Sequence, residues 1–329
     1  MERNLDLSRW REAPRGIAYR RWAIVDNGLR QLLRLRFFRV LLGLAWSGGL
    51  AIAALGVVFS QSVATGGWLE SLATRFGPRY EAMAAMLGAF VVLFPDVCIG
   101  GVFTLIFWAH SFLGLWLSLA ALTVLVPQLI TRDRGSNALT VYLSRPLTSV
   151  DYLCGKFGII VCVLVAIWTG PLLFGWVLGM LFATDSDFIV YSLAPLWHAL
   201  LFNAVGLVAL AAIALGVSAC SRTANTTTAI WVGLWLILGA VAAPPVVPDW
   251  LKRTSFQRDL NEVRQTVFRV DSVLTGAGEK LPFLDQTSAT NLAAAGKRAQ
   301  SSDFNGSLAS LGAFVALSAF VFFRRLRPE

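Results

Sequence analysis

Six apolar runs, each long enough to cross a lipid bilayer, leave this chain few ways to fold. They lie at about Val40–Ser60, Phe103–Leu125, Phe157–Ala183, Leu196–Ala219, Thr227–Val247 and Ser307–Phe323. A helix of about 20 apolar residues, rising ~1.5 Å per residue, covers the ~30 Å of hydrocarbon. No water satisfies backbone N–H and C=O groups in that layer, so only helices and closed barrels cross it. Barrel strands are about 10 residues long and alternate polar with apolar, which these runs do not. The expected fold is therefore all-α: a polytopic membrane bundle with six transmembrane helices. Only 14% of the 329 residues are charged, where a soluble domain carries about a quarter, so a soluble fold is excluded.

Orientation follows from lysine and arginine near the ends of the runs, because these residues resist translocation. Residues 1–39 hold ten arginines against four acidic residues. Arg132, Arg134, Arg145 and Lys156 lie between the second and third runs, Arg222 follows the fourth, and the tail ends Arg324-Arg325-Leu326-Arg327. Six crossings put all of these on one side, with both termini cytoplasmic. The two short segments left outside, 61–82 and 184–195, hold only Arg75 and Arg79. The net charge of +9 is then explained by topology and by contact with membrane lipids, not by a nucleic acid. The chain divides into a cytoplasmic amphipathic segment (1–39), five transmembrane helices (40–243), an external insertion of about 60 residues between helices 5 and 6 (244–306), and the last helix with its basic tail (307–329).

Residues 83–130 are apolar for longer than one crossing needs. Two crossings there would turn the basic segment after 131 outward. Pro95-Asp96 and Gly100-Gly101 interrupt the run, so 84–99 is expected to be a short re-entrant or interfacial piece. No cleavable signal is expected, because the first apolar run starts only at Val40. Residues 17–35 instead have an amphipathic pattern. Trp22, Val25, Leu29 and Leu32 share one face and Arg20, Asp26, Asn27, Arg30 and Arg34 the other, which predicts a helix in the headgroup plane. In the insertion, Phe256, Leu260, Val263, Val267, Val270 and Leu274 repeat at helical spacing. Gly276 and Gly278 are expected to stop that helix. The rest is expected to be loop with one more short helix, the whole forming a solvated cap or an external docking element. Cys98, Cys154, Cys162 and Cys220 form no C-x-x-C pair, and with His110 and His198 the only histidines, no metal or other cofactor is expected on this chain.

The segment from Arg132 to Phe157 is too ordered in pattern for a simple turn. Asp133 to Leu143 can form a short helix with Leu139, Tyr142 and Leu143 on one face. Pro146 disfavours helical geometry at Arg145 and breaks it. Thr148-Ser149-Val150-Asp151 is a capping-box pattern that starts the next helix, with the Asp151 carboxylate near its free N–H groups. Tyr152, Gly155 and Lys156 lead into the third run, with Lys156 expected to snorkel to the headgroups. A rigid elbow of this kind can transmit force.

These residues resemble the ABC-2 type transporter permease family. The pattern is Asp133, Arg134, Gly135, Asn137-Ala138-Leu139, Tyr142-Leu143-Ser144-Arg145-Pro146, Asp151-Tyr152 and Gly155-Lys156. Leu215 to Trp235 resembles the family's turn between helices four and five, and the ending Phe-Arg-Arg-Leu-Arg-Pro its basic exit from the sixth. The resemblance implies a transmembrane subunit of an ABC exporter in a bacterial cytoplasmic (inner) membrane. It would pair with a second permease copy or a sister permease, and each would rest its elbow on a separate ATP-binding ATPase subunit. ATP with Mg is then expected on that partner. This chain has no G-x-x-x-x-G-K-[ST] loop, so it is not expected to be an enzyme. Asp133, Arg134, Arg145 and Pro146 are the residues expected to carry the coupling.

Two other classes remain on the page. Gly216-Val217-Ser218 resembles the G-x-S of rhomboid-type intramembrane proteases, but a serine nucleophile needs a histidine in reach. His198 lies about 30 Å away along the same predicted helix. An ion- or proton-coupled carrier acting without an ATPase is the alternative, with Asp96, His110, His198 and Asn203 as the candidates for buried ionisable or polar groups.

Overall fold

A computed structural model describes residues 16–64, 67–131, 133, 149–221, 223–244, 246–280, 286–299 and 303–325. All secondary structure among them is helical, with no strand. Six helices are long and apolar enough to cross a membrane: Arg36–Val63, Asp96–Thr131, Val150–Leu181, Ser186–Cys220, Ala224–Ala242 and Phe304–Arg324 (spans 1 to 6). Each contains or overlaps one of the six apolar runs. Span 5 stops at Ala242, short of Val247, because Pro244 follows and has no N–H to continue the helix. The remaining helices of more than one turn are α1 (Ile17–Leu33), α2 (Trp68–Phe76), α3 (Pro78–Leu93), α4 (Phe256–Phe268), α5 (Val270–Lys280) and α6 (Gln286–Ala299).

Small residues set how closely the spans approach. Spans 1 and 3 cross backbone to backbone: a Cβ on Gly175 would lie 2.3 Å from the Gly49 carbonyl oxygen, and one on Gly49 would lie 2.5 Å from that of Pro171. Trp168 of span 3 is fully buried between spans 2 and 4. A Cβ on Gly114 would meet its ring at 2.1 Å and one on Gly206 at 2.8 Å, so those two glycines form the slot that holds the indole. Apolar side chains gain little from leaving lipid, and close van der Waals contact of this sort is what holds membrane helices together.

Four π-helical turns interrupt the spans, at Asp96–Gly100, Pro127–Thr131, Val165–Thr169 and Gly233–Ile237. Pro95, Pro127 and Pro171 lie beside three of them, where a missing N–H already weakens the α-helical ladder. The widened turns leave backbone groups for other partners. Trp46 of span 1 donates its indole N–H to the Ala166 carbonyl at 3.1 Å.

The stretch expected at 84–99 is α3, which begins earlier, at Pro78, and packs against span 1, α2 and the turn at 96–100. Its 16 residues rise only about 24 Å, less than a crossing. The segment between spans 5 and 6 differs more from expectation. Its first long helix, α4, is no solvated cap: Phe256, Leu260, Val263 and Phe268 are all at most 1% exposed, whereas α6 stays mostly exposed. The Phe256 ring lies 6.4 Å from that of Trp231 in span 5 and 6.3 Å from that of Phe314 in span 6, and Phe268 lies 6.0 Å from Phe202 in span 4. Spans 2 and 4, with 36 and 35 residues, are about 54 Å long, whereas spans 5 and 6 have 19 and 21 residues. Helices α4 and α5 fill the flank that the short spans leave uncovered. Gly276 and Gly278 do not stop this segment; the break falls at Arg269, in the left-handed region at φ 48°, and α5 runs through both glycines to Lys280.

Candidate functional site at the hinge between spans 2 and 3

Span 2 ends in the π turn Pro127–Thr131, and Asp133 follows it. The next described helix begins at Ser149. Tyr152 and Lys156 stand four residues apart on its first turns and so share a face. Both reach Asp133: the Tyr152 hydroxyl donates to Oδ2 at 2.7 Å, and the Lys156 ammonium lies 2.7 Å from the same oxygen. The ammonium also sits 5.4 Å from the centre of the Tyr152 ring. The side chains of Lys156 and Asp133 are only 11% and 16% exposed. Lys156 therefore does not snorkel to the headgroups as expected; a buried cation needs a counter-ion, and Asp133 supplies it.

Asp151 also has a partner that its capping pattern does not reveal. Its Oδ1 accepts from Arg21 of α1, at 2.8 Å from Nε and 2.5 Å from Nη2. That hydrogen bond raises the Arg21 pKa further above its ordinary value. Two N–H groups of the guanidinium thus converge on one charged oxygen, a charge-assisted contact stronger than a neutral hydrogen bond. Beside the pair, α1 packs directly onto span 3. A Cβ on Gly155 would lie 2.9 Å from Ile24, one on Gly158 would lie 2.8 Å from Val25, and one on Gly28 would lie 2.5 Å from Ile159. The amphipathic segment is thus a helix as expected, but Val25 and Leu32 are buried against protein while Trp22 stays 58% exposed. A cavity of about 450 Å³ lies between α1 and spans 2 and 3, with Asn27, Gln31, Gln128, Asp133, Tyr152 and Lys156 among its lining.

A second junction ties spans 2, 4 and 5 at the same end. The Ser218 hydroxyl accepts from the Ile130 N–H at 2.9 Å, and the Thr131 hydroxyl donates to the Ser218 carbonyl at 2.9 Å. Thr131 Oγ1 is also 2.9 Å from Thr227 Oγ1, which pairs with the Ser221 hydroxyl. Thr223 caps span 5. Ser218 is therefore a structural hub and not a protease nucleophile. Its partners are a backbone amide in a π turn and a threonine. Lone hydroxyl residues at the predicted run ends were the only sequence signal for it.

Of the residues expected at the elbow, Asp133, Tyr152 and Lys156 meet one another, while Asp151 and Gly155 contact α1 through Arg21 and Ile24. Arg134, Gly135, Leu139, Tyr142, Leu143, Ser144, Arg145 and Pro146 lie outside the described residues. The carrier candidates are dispersed. His110 is buried in span 2, and Asn203 donates to the Thr169 hydroxyl at 3.4 Å. Asp96 and His198 line one cleft at the far end of the bundle.

Residues 118–327 match the family model described as ABC-2 family transporter protein, which is more than half of the chain. The chain belongs to the ABC-2 transporter family. The match runs from the second half of span 2 through span 6 and so includes the hinge, the hydroxyl junction and the α4–α5 segment. No curated protein matches the chain. As an ABC-2 family protein with six apolar helices of crossing length, it is a multi-pass membrane permease of an ABC transporter.

Proposed function

We propose that this ABC-2 permease couples ATP hydrolysis on a separate ATPase subunit to export of a substrate, and that the ATPase docks at the hinge between spans 2 and 3. The observation that carries this reading is the bracing of the hinge base. Asp133 joins the end of span 2 to the start of span 3, and Arg21 joins α1 to the same helix. A load applied between residues 133 and 149 would therefore move spans 2 and 3 and α1 together, as rigid-body transitions require. Placing the hinge in the cytoplasm follows from the arginine distribution, and puts both termini on that side in a bacterial inner membrane. Two permease chains, identical or sister, would complete the transporter. ATP and Mg would be held by the partner.

The test is affinity purification of the chain from its native membrane in mild detergent, with ATPase activity measured on the eluate. A co-eluting ATPase that is lost on Arg145→Glu, at normal membrane levels of the permease, is expected. Retention of the ATPase and of its activity by that variant would remove the docking claim. The carrier reading is less well supported, because Asp96 is exposed at a cleft mouth and not set within the bundle.

A further inference from the structure

Two cavities adjoin at the end of the bundle opposite the hinge, and their chemistries differ. The first, of about 350 Å³, is apolar, with Phe59 of span 1, Leu87 and Phe90 of α3, Leu105 of span 2 and Ala277 of α5 in its lining. The second, of about 440 Å³, has a mixed lining that includes charged and polar side chains: Tyr191 and His198 of span 4, Asp96 of span 2, Arg269 at the α4–α5 corner, and Ser272 and Lys280 along α5. Val97, Gly101 and Val273 line both. The wall between them is thin: Gly101 has no side chain, and a Cβ there would already lie 3.2 Å from Val273.

The charged side chains of this second compartment have an excess of positive charge. Arg269 and Lys280 face one carboxylate, Asp96, and neither cation makes an ion pair among the described residues. The Lys280 ammonium rests 5.6 Å from the centre of the Phe94 ring. Arg269 holds the left-handed backbone conformation that glycine would adopt without strain. A turn made only to reverse the chain would suit glycine better than arginine.

We propose that the two compartments together bind an anionic amphiphile, with its alkyl chain in the apolar cavity and its acidic head against Arg269 and Lys280. The inference rests on the permease reading and gives it a substrate class. Pockets of this size are ordinary ligand sites, and apolar walls with a few convergent polar groups are their usual make-up. The head group is held along the face of α5 that carries Arg269 at its start and Lys280 at its end, both lining the same cavity, and the thin wall at Gly101 lets one molecule reach both cavities.

The experiment uses the full chain purified in a neutral maltoside detergent, without any ATPase. Equilibrium binding is measured for radiolabelled oleoyl-lysophosphatidylglycerol and oleoyl-lysophosphatidylcholine, which share a chain and differ in head charge, and for two-chain phosphatidylglycerol. Two weakly screened charge contacts predict a preference on the order of tenfold for an anionic head. Arg269→Glu with Lys280→Glu should abolish the preference, and Val273→Trp, which fills the junction, should weaken binding of every lipid. Arg269→Gly removes one cation while favouring the backbone, and should lower the preference without loss of folding. A preference shown by the one-chain or the two-chain lipid supports the site and identifies whether the ligand is a free amphiphile or a bilayer lipid. Equal binding of anionic and zwitterionic heads, or a preference that survives the charge changes, would overturn the proposal. So would unchanged binding to Val273→Trp. Such a failure would leave ATPase co-purification, and with it the permease reading, untouched.

Discussion

Replacing Asp133 with alanine should destabilise the protein, and replacing Lys156 with methionine as well should restore much of the loss. In the wild type the Lys156 ammonium is 2.7 Å from Asp133 and only 11% exposed. Stranding one member of a fully buried ion pair costs about 3–5 kcal/mol. The residual exposure lowers that to about 2 kcal/mol, by analogy with the weaker pairs at surfaces. The Tyr152 hydroxyl loses its 2.7 Å acceptor in the same variant, which costs about 1 kcal/mol more. Asp133→Ala should therefore lose about 3 kcal/mol in total, roughly 5 °C or more in melting temperature for a chain of this size. Lys156→Met removes the stranded charge and keeps the length of the side chain. The double variant should regain about 2 kcal/mol over Asp133→Ala, a coupling energy within the range measured for contacting residues. The assay is thermal unfolding of the purified chain in detergent, followed by intrinsic tryptophan fluorescence, for all four members of the cycle. An Asp133→Ala variant that melts with the wild type would refute the reasoning. Additive losses in the double variant would refute it as well, since they would mean that Lys156 does not depend on Asp133.

Gly158→Leu should detach α1 from span 3, because even a Cβ at that position would lie 2.8 Å from Val25. Limited proteolysis should then cut within residues 17–33 faster than in the wild type, and equal rates would contradict the docking. Ser218→Val leaves the Ile130 N–H buried without its 2.9 Å acceptor and should cost about 1–3 kcal/mol, read as a lower melting temperature. It should leave no proteolytic activity to lose, since the hydroxyl is a structural acceptor. Asp303 caps span 6 by accepting from the Gly306 N–H at 3.0 Å, and that bond, with Arg253 beside it, holds the carboxyl below the usual carboxylate range. Its contribution to stability is present above the ordinary aspartate pKa, ~3.9, and is lost as pH falls through the lower folded value. Asp303→Asn should flatten the melting temperature between about pH 5 and pH 3, and an unchanged slope would count against the cap.

The number and order of the spans were legible because apolar length is a strong signal, and the family was legible from the elbow between Asp133 and Lys156. What the sequence hid were contacts between segments far apart in the chain. Asp151 reads as a local cap, and only the fold shows that Arg21 reaches it from 130 residues away. Lys156 stands where a snorkelling lysine belongs, and only the fold shows Asp133 beside it. The helical repeat from Phe256 to Leu274 was plain, but periodicity says which face is apolar and not what covers that face. In α4 the charged face is also enclosed: Asp259 is fully buried and Arg264 is 2% exposed. The Arg264 guanidinium lies 3.1 Å from the centre of the Phe112 ring in span 2. Nothing in residue type alone distinguishes that helix from a polar cap.

The late position of α4 in the chain bears on how the protein is made. The side chains that close the space among spans 2, 4, 5 and 6 come from residues 256–268, so a nascent chain has inserted five spans before they exist. Until then Trp231 and Phe202 have no Phe256 or Phe268 to meet. Spans 1 to 4 can pack on one another by then through their glycine contacts, but the flank beside spans 5 and 6 closes only when the last quarter of the chain is translated and folds back. A break in synthesis after span 5 would thus release a fragment whose Trp231 and Phe202 face an uncovered flank.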